Sequence, residues 1–79
     1  MNARRRIVRF IGSELLEGAR YFGDPLATGV LDSLKLEQLI AYIEDTFAIE
    51  LDDDDLQPED FADVDAVVSL VNRKRKARR

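Results

Sequence analysis

One stretch limits what this chain can fold into more than any other: the run from Ser33 to Phe47. Its apolar residues fall at Leu36, Leu39, Ile40, Ile43 and Phe47. That spacing lines one face of an α-helix, and no alternating strand pattern competes with it. Gly29-Val30-Leu31-Asp32-Ser33-Leu34 leads into the run. Asp32 and Ser33 therefore precede the apolar face, where a side-chain oxygen can accept from unpaired N–H groups of the first turn. Ser33 stands at the positive end of a helix, a place suited to holding a phosphate group.

Two further runs carry helical periodicity. Ile7, Val8, Phe10, Ile11, Leu15 and Leu16 predict a first helix over Asn2–Glu17, with Gly18 as its stop. Val64, Val67, Val68 and Val71 predict a last helix over Asp63–Lys74, capped by Asp63. Pro58 suits the first position of a short helix at Pro58–Phe61, with Phe61 plugging the core. Between the first two helices, Ala19 to Leu31 reads as a long loop through Gly23-Asp24-Pro25 and Thr28-Gly29. Leu26, Val30 and Leu31 are expected to pin it to the core. The expected fold is all-α: one domain, a small bundle of three main helices and one short helix. Its core should hold Ile7, Ile11, Leu15, Leu36, Leu39, Ile40, Ile43, Phe47, Phe61, Val64, Val67, Val68 and Val71.

Composition narrows function. A chain of 79 residues buries only about 60 to 65% of its unfolded surface, leaving little volume for a deep catalytic pocket. There is no cysteine, which removes disulfides, thiolate metal sites and thiol nucleophiles. There is no histidine, the usual general base near neutral pH. These absences argue against a self-contained enzyme. The net charge of −4 conceals segregation. Ten of twelve cations lie in Arg4–Arg9 and Arg73–Arg79, and residues 10–72 carry −14. An acidic body suggests a partner with a positive docking surface.

The basic segment 73–79 reads as a flexible tail that complements the dipole of the last helix, and nucleic acid is not the expected partner. The acidic run Asp52–Asp55 lacks the glycine and terminal glutamate of a calcium loop, and no metal is expected there. No apolar run reaches the ~20 residues of a membrane span, and no signal-peptide pattern follows Met1. A cytoplasmic, stand-alone protein is the expectation.

The Gly-Val-Leu-Asp-Ser-Leu block, the helix through Ile43-Glu44-Asp45-Thr46-Phe47 and Leu56-Gln57-Pro58-Glu59-Asp60-Phe61 occur in one order with short spacings. Over about Ile7 to Asn72 this resembles the acyl carrier protein family. The resemblance implies a carrier-protein-like bundle with a long first loop and 4′-phosphopantetheine attached to Ser33. It implies that Asp32 orients the loop and assists loading, and that Leu34 packs beneath the serine. A phosphopantetheinyl transferase would modify the chain, and an acyl- or aminoacyl-loading enzyme and downstream synthases or transferases would use it. Lys35, Glu37, Gln38, Glu44 and Asp45 are the implied docking residues. Lys35 stands where fatty-acid carriers commonly have an acid, Gln38 replaces a frequent glutamate, and Glu37 takes a usually aliphatic position. Those departures mean that docking contacts of fatty-acid carriers do not carry over one for one, while the form Gly-Val-Leu-Asp-Ser-Leu more closely resembles carriers of specialised metabolism, of the polyketide or nonribosomal-peptide kind. A D-alanyl or fatty-acid carrier is the alternative within the family, and an unmodified helical adaptor the alternative outside it.

Overall fold

Each periodic run becomes a helix in the computed structural model, which describes residues 2–20, 23–29 and 31–77. Helix α1 spans Ala3–Phe10 and starts where the Asn2 carboxamide oxygen accepts from Arg5 N–H at 2.8 Å. It then loosens into a π-helical turn over Ile11–Leu15, with Leu16 N–H donating to Ile11 C=O at 2.9 Å. The sequence explains the loosening. Ala3, Ile7, Ile11 and Leu15 recur every fourth residue, a spacing that drifts around a 3.6-residue helix. A wider turn keeps all four on the core side. Ser13 Oγ also donates to Arg9 C=O at 2.7 Å and competes there with the backbone ladder. Gly18 ends the segment as expected, at φ +79°, but Glu17 before it is also left-handed, at φ +50°.

Helix α2 spans Ser33–Phe47, the expected bounds, and Ala48 terminates it in the left-handed conformation. Helix α3 spans Val64–Ala77. A 3-10 turn at Pro58–Phe61 precedes it with Pro58 in the first position, and another forms at Asp53–Asp55. Among the described residues there is no strand. Helix α1 packs on α3, and α2 packs on the π-helical turn and on α3. Phe10 and Tyr42 stack between α1 and α2, with ring centroids 4.0 Å apart.

Two expectations need correction. Helix α3 runs three residues past Lys74, so Arg73, Lys74, Arg75 and Lys76 form helical turns and not a flexible tail. The acids before α3 supply the reason: Asp60 pairs with Arg73 at 3.1 Å and Asp55 with Lys74 at 2.9 Å. Arg78 and Arg79 lie outside the described residues. The core also differs in membership. Ile7, Ile11, Leu15, Leu39, Ile43, Val64, Val67 and Val71 are buried as expected, with Ala3, Leu31, Ile49 and Leu70 beside them. Leu36, Ile40, Phe47, Phe61 and Val68 are only half-buried, forming the rim. No polar or charged side chain is buried among the described residues.

Candidate functional site

The segment entering α2 is positioned by one carboxylate. Asp24 Oδ1 accepts from Leu26 N–H at 2.9 Å and Ala27 N–H at 3.2 Å, winding residues 24–28 into a turn. Thr28 closes it, donating from both its N–H and its hydroxyl to Asp24 C=O at 3.0 and 2.8 Å. The other oxygen, Asp24 Oδ2, accepts from Val64 N–H at 2.9 Å, forty positions away at the start of α3. This bond ties the turn to the bundle. Burial works to raise the Asp24 pKa, but the N–H groups of Val64, Ala27 and Leu26, aided by Arg4, outweigh it and hold it below the ordinary value.

Gly29, at φ +73°, then redirects the chain, and Leu31 enters the core at 8% exposure. Leu26 packs on the core as expected, while Val30, the third expected anchor, lies outside the described residues. With Leu31 fixed, Asp32 falls in extended conformation, and its Oδ1 accepts from Lys35 N–H at 2.9 Å. Asp32 is thus the cap, and Ser33 is the first helical residue. Ser33 is exposed, and its hydroxyl has no partner among the described residues. The N–H groups of Ser33 and Leu34 are likewise without a partner among those residues, as helix geometry dictates for a first turn. Leu34, expected to pack beneath the serine, does not: 65% of it is exposed. The α2 core face is centred on Leu39 and Ile43, and Leu34 points the opposite way.

The other residues implied by the resemblance divide. Glu37, Gln38 and Asp45 are exposed. With Leu34 and Ala41 they follow helical spacing and form one solvent-facing stripe along α2. Lys35 is half-buried at the side of that stripe. Glu44 is not part of it. It is half-buried, and its Oε2 accepts from Leu51 N–H at 2.9 Å, clasping the chain that leaves α2.

Sequence reasoning missed Asp24. The Asp-Pro pair was a signal for a side-chain-capped turn, but nothing local announces the bond to Val64. Among the described residues no group of acids is arranged to hold a metal ion. None of the helices, over those residues, is long and apolar enough to cross a membrane. The chain matches no family model, no curated protein and no solved structure.

Proposed function

We propose that this chain is an acyl carrier protein, in which Ser33 bears 4′-phosphopantetheine and the chain itself catalyses nothing. One observation carries the reading. Ser33 stands exposed at the first position of α2 with its hydroxyl uncommitted among the described residues, because Asp32 does the capping. A serine kept for structure would be expected to make that cap itself. The surroundings fit the group. The unpaired N–H groups of Ser33 and Leu34 and the helix dipole favour a phosphodiester there, and one oxygen of the adjacent carboxylate, Asp32 Oδ1, is turned to Lys35 N–H.

In the proposed loading step, a transferase base takes the Ser33 hydroxyl proton. Ser33 Oγ forms the new bond to phosphorus of coenzyme A, and adenosine 3′,5′-bisphosphate leaves. Attached, the group supplies a terminal thiol on a flexible arm, which holds an acyl or aminoacyl cargo as a thioester. The stripe of Leu34, Glu37, Gln38, Ala41 and Asp45 would face the loading and downstream enzymes. The resemblance of the Gly-Val-Leu-Asp-Ser-Leu form to carriers of specialised metabolism supports enzymes of that kind over those of bulk fatty acid synthesis. The cytoplasm is the proposed compartment.

A second reading has its own support. Leu34 at 65% exposure on a solvent-facing stripe suits a helical adaptor that binds a partner without modification. Intact mass after incubation with a broad-specificity phosphopantetheinyl transferase and coenzyme A separates the two. The carrier reading expects the mass of one phosphopantetheine group added at Ser33, and an unchanged mass leaves the adaptor.

A further inference from the structure

At the carboxyl end of α2, Arg6 of α1, Thr46, Phe47 and Ala48 of α2 and its terminus, and Arg75 of α3 surround a half-open cleft of about 220 Å³. No acid lines it. In a chain with sixteen acids, that is a selective omission. Of the nearby cations, Arg4 pairs with Asp65, Arg73 with Asp60 and Lys74 with Asp55, while Arg5, Arg9 and Lys76 have no ion pair among the described residues. Arg6 and Arg75 have no ion-pair partner among the described residues. The Arg75 guanidinium lies over the Phe47 ring, 5.7 Å from its centroid, which holds it in place without using its N–H groups.

Each guanidinium carries five N–H donors in a planar fork. Neither donates a hydrogen bond to any described atom. Two cations held on one small cavity also repel each other. The carbonyl end of α2 offsets part of this, since a helix terminus is equivalent to roughly half a negative charge. One of its carbonyls, Glu44 C=O, is already taken by the N–H of Ala48 and of Ile49. Roughly half a charge offsets little of two, so most of the positive charge stays uncompensated. A doubly charged oxyanion between two guanidinium forks would remove the repulsion and occupy the donors. The half-buried Thr46 hydroxyl offers one more donor at the wall.

We infer that this cleft binds a phosphate-class oxyanion, free or as the terminal group of a small phosphomonoester. The site lies at the opposite end of α2 from Ser33, about 22 Å along the axis, and does not rest on the carrier reading.

The test is an amide NMR titration of the full chain at constant ionic strength, with inorganic phosphate, glycerol 3-phosphate and acetate as probes. Saturable shifts should cluster at Arg6, at residues 46–48 and at Arg75 with either phosphate compound, while acetate binds far more weakly. The tighter of the two phosphate probes names the source. Arg6→Gln and Arg75→Gln should each weaken binding roughly tenfold or more, since each removes charge-assisted hydrogen bonds. Arg73→Gln, outside the cleft, should leave binding intact. Shifts spread evenly over Arg5, Arg9 and Lys76, or equal affinity for acetate, would overturn the inference. So would folded Arg6→Gln and Arg75→Gln variants that still bind like wild type. If either variant fails to fold, the wild-type shift map and the acetate comparison decide alone.

Discussion

At its amino end α2 is closed by a single carboxylate, Asp32, and the next two side chains, Ser33 and Leu34, face solvent. At its carboxyl end the chain is tied down. Glu44 Oε2 accepts from Leu51 N–H, Ile49 N–H donates to Glu44 C=O at 3.2 Å, and Ile49 itself is 4% exposed. Both ends carry acids on the same helix, yet one acid organises a turn around uncommitted side chains and the other is consumed by the fold. The difference shows how to separate function from structure in a small domain. A polar side chain with a buried-segment partner is explained by stability, and one without a partner asks for another reason.

The largest effect is expected from the core beneath the carboxyl end. Ile43, directly before the clasp residue Glu44, is fully buried, and Ile43→Ala should cost about 2 to 5 kcal/mol, enough to unfold much of so small a domain. Chemical denaturation measures it. Phe61→Ala should cost less than that range suggests for a core aromatic, because Phe61 is half-buried at the rim and does not plug the core. The clasp comes next. Glu44→Ala leaves the half-buried Leu51 N–H unpaired and should destabilise by about 1 to 2 kcal/mol. A Glu44→Ala variant as stable as wild type would mean that the carboxyl end is no better tied than the amino end.

Acid sharpens the contrast. The Asp24 pKa is lowered for the reasons given above, and that of Asp55 by the hydrogen bond from Lys74 first, then by Asp52 N–H. Groups with depressed folded pKa values stabilise fully above their ordinary value, here 3.8, and lose that contribution as pH falls through the folded value. Melting temperature should therefore fall below about pH 4, and Asp24→Asn should flatten that limb. Lys74, raised mainly by its bond to Asp55, acts with the opposite sign: its contribution holds below 10.5 and disappears as pH rises past the raised value. At the amino end the effects are smaller. Asp32→Ala should cost about 1 kcal/mol, and Ser33→Ala should stay within roughly 0.5 kcal/mol of wild type.

Helical periodicity announced the three helices well, because each has one dominant apolar stripe. The bounds of α2 were legible from Asp32 and Phe47. The end of α3 was not, because Arg73 to Lys76 resemble a solvated tail until Asp55 and Asp60 are folded against them. Ala3 was hidden among arginines, and Ile49 lies beyond the helix that buries it. The expected long loop included Tyr21, Phe22 and Val30, which lie outside the described residues; within them, its centre is a turn fixed by Asp24. Ser33 was legible as a residue, since Asp-Ser before an apolar stripe marks a helix start. Which of the two caps was not, because both side chains are competent and only backbone geometry chooses.

On the proposed reading, Ser33 is kept free for modification. The most direct test is intact-mass measurement of wild type and Ser33→Ala after exposure to a phosphopantetheinyl transferase and coenzyme A. Wild type should gain one phosphopantetheine group. Ser33→Ala should gain none while melting within a degree or two of the parent, since Asp32 retains the cap. An unmodified wild type, or a Ser33→Ala variant that still gains the group, would contradict the claim.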